Sequence, residues 1–137
     1  MKRLVLDTNT LISAVGWKGS AYTVWLACVE GRHELLISPA LLAEFETVLS
    51  RHKFAFIPTE ERQRFLVLLT AIAELIQPHM VLDVVTADPA DNRVLECAVE
   101  GKATALISRD HHLLELQVYQ TIPILTPEAF LRRNQFS

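Results

Sequence analysis

Cysteine is scarce in this chain: of 137 residues only Cys28 and Cys97 carry a thiol, and they form no CxxC pair. That spacing excludes a disulfide framework and a thiolate metal site, and two lone thiols in apolar helical contexts read as buried and reduced, which points to the cytoplasm. Glycine and proline are also few, at 4 and 6, leaving little room for a linker or disordered tail. Basic charge is in deficit, with 13 Lys and Arg against 16 Asp and Glu, a net charge of -3 and a pI near 5.9. This argues against a domain that grips nucleic acid through a broad basic face. The longest apolar run, Phe65 to Ile76, is too short for a bilayer and is interrupted by Thr70 and Glu74, so no membrane span is expected and the run reads as a core or dimer-interface helix. Met1-Lys2-Arg3 has the charge of an export signal, but Asp7 breaks the apolar run after Leu4-Val5-Leu6, and no such signal is expected.

What is present is half hydrophobic and a fifth charged, the composition and length of one globular domain spanning 1–137. Residues 3–6, 34–37, 104–108 and 122–125 are short apolar runs with the character of buried strands, and 80–85 is a weaker candidate. Helical periodicity covers about 21–30, 39–50, 59–76, 89–100 and 127–133, with Ser38-Pro39 and Thr126-Pro127 as cap and first turn. Strands alternating with helices predict an α/β fold, a mainly parallel central sheet with helices on both faces. Ligands of such sheets bind at the carboxyl ends of the strands, where strand order reverses.

Acids stand at those ends. Asp7 follows the first strand, where a helix begins, and reads either as a helix cap or as a functional group. Asp91 shares the i, i+3, i+4, i+7 stripe of its helix with Val94, Leu95 and Ala98, so a carboxylate lies on an apolar face. A first-turn acid facing the helix dipole, with Asp88 as cap, explains it as well as a metal ligand does. Glu44 and Glu46 flank the stripe of Leu41, Leu42, Phe45, Val48 and Leu49 on opposite sides, and periodicity does not choose between them. Asp110, one residue beyond Ser108-Arg109, reads as another cap or another ligand. His111 and His112, being adjacent, are expected to point apart and, like His33, His52 and His79, to be surface or loop residues. The basic pairs Arg51 with Lys53, Arg62 with Arg64, and Arg132 with Arg133 are solvated helix faces or phosphate contacts. Carboxylates gathered at one sheet edge repel unless a divalent cation neutralises them. An all-oxygen donor set favours Mg²⁺ or Mn²⁺ over Zn²⁺.

Leu6-Asp7-Thr8-Asn9 followed by Leu11-Ile12-Ser13-Ala14, then Ser38-Pro39-Ala40-Leu41-Leu42-Ala43-Glu44, Asp88-Pro89-Ala90-Asp91-Asn92 and Ile107-Ser108-Arg109-Asp110 together resemble the PIN-domain nucleases. Within them they resemble the VapC-like toxin components of toxin–antitoxin modules. The resemblance runs the whole chain. It implies metal-binding catalytic acids at Asp7, Glu44, Asp91 and Asp110, support by hydrogen bonding from Asn9 and Ser108, and an auxiliary acid at Asp88. It further implies a Mg²⁺- or Mn²⁺-dependent endoribonuclease cutting single-stranded or structured RNA, a homodimer, and an antitoxin partner that inserts Arg or Lys into the acidic groove. Arg109 replaces a glycine frequent in the family, and is expected to reach a phosphate or narrow the entrance.

Two other functions fit parts of this pattern. Asp7-Thr8-Asn9-Thr10 approximates the DxDxT loop of haloacid-dehalogenase-like phosphatases, in which Asp7 would attack phosphorus, although Asn9 stands where a proton-donating acid belongs. A non-catalytic PIN-like module binding RNA or protein would keep the fold without the reaction. A receiver-type phospho-acceptor lacks the paired acids expected after the first strand.

Overall fold

A computed structural model of the chain describes residues 1–134. The elements follow one another as β1 (Arg3–Leu6), α1 (Thr8–Gly16), α2 (Ser20–Val29), β2 (Glu34–Ile37), α3 (Pro39–Leu49), a 3-10 turn (His52–Phe54), α4 (Thr59–Ile72), β3 (Glu74–Leu75), α5 (Ala90–Glu100), β4 (Ala105–Ile107), α6 (His111–Leu114), β5 (Val118–Tyr119), β6 (Ile122–Leu125) and α7 (Pro127–Asn134). The strands form a six-stranded sheet in the order β3-β2-β1-β4-β6-β5. Every pairing is parallel except β5 with β6. Leu4, Val5 and Leu6 are consecutive, so their side chains point to alternate faces, yet none is more than 1% exposed; both faces of the sheet are therefore covered. No helix among the described residues is long and apolar enough to cross a membrane.

Two expectations fail in the segment after α4. The apolar run was expected to stay helical to residue 76, but the helix ends at Ile72, and Glu74 and Leu75 pair with Leu36 and Ile37 as a short edge strand. Residues 80–85 are not a strand, because side chains of α5 occupy the backbone groups a neighbouring strand would need. Asn92 Oδ1 accepts from the N–H groups of Val84 and Val85, each at 2.8 Å, while Asn92 Nδ2 donates to the Val85 carbonyl at 2.8 Å. Glu96 Oε2 accepts from Leu82 N–H at 2.8 Å and Arg93 Nη2 donates to the Leu82 carbonyl at 3.1 Å. The segment thus runs antiparallel to a helix and is hydrogen-bonded by that helix's polar side chains, satisfying its backbone by a route other than a sheet ladder.

At the amino end of β1, Arg3 ties the sheet together. Its guanidinium pairs with Glu34 at 2.6 Å and Glu74 at 3.0 Å, the first residues of β2 and β3, and donates twice to the Gly101 carbonyl at 3.1 and 2.9 Å. Gly101 allows the turn after α5 to sit against the sheet, since a Cβ there would lie 2.8 Å from Leu36 Cδ1 and 3.0 Å from the Cys97 carbonyl oxygen. Both cysteines are free and buried, with their thiols pushed up to about 12 by burial. We expect Gly101→Ala to destabilise the fold by about 1–3 kcal/mol through overpacking. Urea unfolding of the two proteins measures this, and an unchanged midpoint would contradict the close packing described.

Candidate active site

The strand order reverses beside β1: the chain builds outward through β2 and β3 on one side and through β4 and β6 on the other. At the carboxyl end of this switch point lies a cavity of about 320 Å³ lined by Asp7, Thr8, Asn9, Glu44, Val48, Arg51, Asp88, Asp91, Val94 and Asp110. A larger cleft, about 370 Å³, opens between α1, α2 and α4 against Trp17, Tyr22, Trp25, Phe65 and Leu68. That cleft is mainly apolar, with Glu61 its single acid beside Lys18 and Arg64, so the carboxylate chemistry belongs to the smaller one.

Asp7 caps α1: its Oδ1 accepts from Thr10 N–H at 2.9 Å, and its other carboxylate oxygen accepts from the Ser108 hydroxyl. Ser108, fully buried, accepts in turn from Asp110 N–H at 2.9 Å. One hydroxyl therefore fixes the acid after β1 relative to the acid after β4. Asp110 caps the short helix α6, accepting from His112 N–H at 2.8 Å. Glu44 turns into the cavity and receives the Thr8 hydroxyl at 2.8 Å, whereas Glu46 lies on the opposite side of α3 against a different depression. Asp88 accepts from Ala90 N–H at 3.2 Å and so stands at the mouth of α5, beside Asp91.

Asp88, Asp91 and Asp110 each offer a carboxylate oxygen within 4.8 Å of the other two. Asp7 and Glu44 line the same cavity outside that tight group. Asp91 is only 7% exposed, and its Oδ2 is buried without a hydrogen-bond partner. A buried charged oxygen with no partner is costly. Burial first, then the charges of Asp110 and Asp88, raise the Asp91 pKa from the ordinary carboxyl range to about 7. Burial also raises that of Asp7, against the opposing effect of the bonds from Ser108 and Thr10.

The donor set fits a hard divalent cation. Oxygens on one octahedral ion at about 2.1 Å stand roughly 3–4 Å apart, close to the spread of the trio, and a cation would complete the orphaned Asp91 oxygen. Positive charge at the same point would relieve the repulsion that holds a proton on Asp91.

Three expectations need revision. Asn9 is exposed on the cavity wall and makes no side-chain hydrogen bond among the described residues; its neighbour Thr8 makes the bond to an acid instead. Arg109 turns away from the cavity and pairs with Glu128 of α7, so it neither narrows the entrance nor faces a phosphate there. His111 and His112 do not point apart, for their ring centroids are 3.9 Å from one another. Sequence reasoning gave no role to Thr8 or to Asn92, which anchors the segment before Asp88, and left Arg51 as either a solvated charge or a phosphate contact; it lines the cavity. For Asn92 a signal existed, an amide directly after an acid on a helix's buried face.

A family model described as PIN domain matches residues 3–112. The chain belongs to the PIN-domain family. PIN domains are typically nucleases and generally use a divalent metal. No curated protein matches the chain in sequence. Among solved structures, this PIN domain is similar to VapBC2 from Rickettsia felis bound to a DNA fragment from its promoter, at 17% identity and a TM-score of 0.59 over 89% of this chain and 96% of the other. PAE2754 from Pyrobaculum aerophilum matches at 17% identity and 0.59 over 99% and 91%, and FitAcB from Neisseria gonorrhoeae at 17% and 0.54 over 91% and 98%. At such identity the likeness establishes the fold.

The raised Asp91 pKa has a thermodynamic consequence. The folded, metal-free chain holds this proton more tightly than the unfolded chain, so the stabilising effect of that proton is complete below the ordinary Asp pKa of 3.8 and is lost as pH rises towards about 7. Relative to wild type, Asp91→Asn, neutral at every pH, should gain about 1–3 kcal/mol at pH 8 in chelator and clearly less at pH 5. Unfolding curves of both proteins at the two pH values measure the difference; a gain equal at both would contradict the assignment.

Proposed function

We propose that this PIN domain, acting as one nuclease unit over 1–137, is a Mg²⁺- or Mn²⁺-dependent endoribonuclease and the toxin of a toxin–antitoxin module. The observation that carries the reading is the convergence of Asp88, Asp91 and Asp110 in a cavity also walled by Asp7 and Glu44, with one Asp91 oxygen left unpaired. Asp7, Glu44, Asp91 and Asp110 are the acids we assign to metal binding and catalysis, with Asp88 as a close auxiliary. A bound divalent cation would supply Lewis-acid polarisation of the phosphodiester and a lowered pKa for attacking water.

The protein's own groups do the positioning. Ser108 holds Asp7 and the Asp110 backbone in one register, and Thr8 aims Glu44. Asp91 must release its proton as the site loads, so metal affinity should rise with pH. Arg51, the basic residue on the cavity wall, is placed to meet an RNA phosphate, which limits the cost of an otherwise anionic pocket. An Arg or Lys from a cognate antitoxin would find the same acids. Homodimerisation and cytoplasmic residence complete the proposal.

The phosphatase alternative is disfavoured by the state of Asp7, which is 5% exposed and has both oxygens engaged, by Thr10 N–H and the Ser108 hydroxyl. A nucleophile needs an oxygen free to approach phosphorus.

The test is RNA cleavage by purified wild type, Asp7→Asn and Asp91→Asn, with circular dichroism to confirm folding, and growth on expression of each in cells. Both variants should fold, lose roughly a hundredfold or more of Mg²⁺- or Mn²⁺-dependent cleavage, and fail to arrest growth. Full cleavage by both variants would count against the nuclease; cleavage without growth arrest by wild type would remove the toxin role alone.

A further inference from the structure

We propose that Asp110, His111 and His112 form a second metal site, one suited to Zn²⁺ or a similar transition-metal ion, at the rim of the carboxylate cavity. One donor atom from each of the three residues lies within 4.8 Å of the other two. The His111 and His112 rings, although adjacent in sequence, stand side by side with centroids 3.9 Å apart and planes inclined by 42°.

Neither imidazole has a hydrogen-bond or ion-pair partner on its ring among the described residues; the contact each ring makes is with the other. Asp110 Oδ1 accepts from His112 N–H, which also brings the backbone at His112 up against that carboxylate. Two imidazoles and a carboxylate are a catalytic-type zinc set with an open fourth position. Ligands on tetrahedral Zn²⁺ at about 2.0–2.1 Å lie roughly 3.4 Å apart, within a small rotamer adjustment of the observed spread. The donor chemistry separates this site from its neighbour: nitrogen suits Zn²⁺, Co²⁺ or Ni²⁺, whereas the all-oxygen trio of Asp88, Asp91 and Asp110 suits Mg²⁺ or Mn²⁺.

Asp110 is common to both groups. An ion held by the histidines draws that carboxylate away from Asp88 and Asp91, so Zn²⁺ acts as an antagonist of the Mg²⁺-supported reaction. This consequence rests on the nuclease reading above; the binding of Zn²⁺ does not.

The experiment uses the full, untagged chain. Zn²⁺ is titrated by calorimetry into wild type and the His111→Ala/His112→Ala double variant, and Co²⁺ is followed by its visible absorption. Wild type should bind one Zn²⁺ per chain, and the double variant should bind it at least tenfold more weakly and lose the Co²⁺ signal of low coordination number. Mg²⁺-dependent cleavage by the double variant should persist and should no longer be inhibited by Zn²⁺. Equal Zn²⁺ affinity in the two proteins, or no stoichiometric binding by wild type, would overturn the site. Failure of the nuclease reading would appear separately, as absence of cleavage with any divalent ion while the titrations still decide where Zn²⁺ binds.

Discussion

Repulsion between carboxylates in a confined space is the constraint around which this molecule is organised. Asp7, Glu44, Asp88, Asp91 and Asp110 share one cavity, with Arg51 the single basic residue among its lining groups. In a medium less polarisable than water, charges this close cannot all remain ionised unless something positive joins them. The metal-free protein responds by keeping a proton on Asp91 near neutral pH, and the cost of that arrangement is visible as a buried oxygen without a partner. Stability sacrificed at such a point is the common signature of a site built for a ligand.

The scaffold makes the crowding possible. Parallel strands deliver β1 and β4 side by side, so that the residues after them emerge at one sheet edge. The Ser108 hydroxyl then couples the two loops directly. On the other flank, α5 carries Asp91 on its buried face and uses Asn92, Arg93 and Glu96 to hold the segment at 82–85. The helix is thereby clamped from outside while its first turn presents acids to the cavity, and Arg3 secures the opposite end of the sheet through Glu34, Glu74 and Gly101.

Much of this was legible in sequence because it is local. Short apolar runs marked β1, β2, β4 and β6, and Ser38-Pro39 marked the start of α3, where the Ser38 side chain accepts from Leu41 N–H. Asp91 announced itself by sitting among Val94, Leu95 and Ala98. Features decided by distant partners were not legible. Nothing near Glu44 and Glu46 says which faces Thr8, and nothing near 80–85 says that helix side chains will take its backbone bonds. The β5–β6 turn was missed because Gln120 and Thr121 adopt positive φ, 48° and 71°, where Asn-Gly would have been the usual signal. The same limit applies to the histidines: adjacency suggested divergence, but α6 is a single short turn at a loop end, where ring placement follows the loop more than helical geometry.

Crystals of the protein soaked in Mn²⁺ and measured for anomalous scattering would test the central claim most directly. The account predicts a peak bridging the carboxylates of Asp88, Asp91 and Asp110, beside Asp7. A well-ordered cavity with no anomalous density at saturating Mn²⁺ would contradict it.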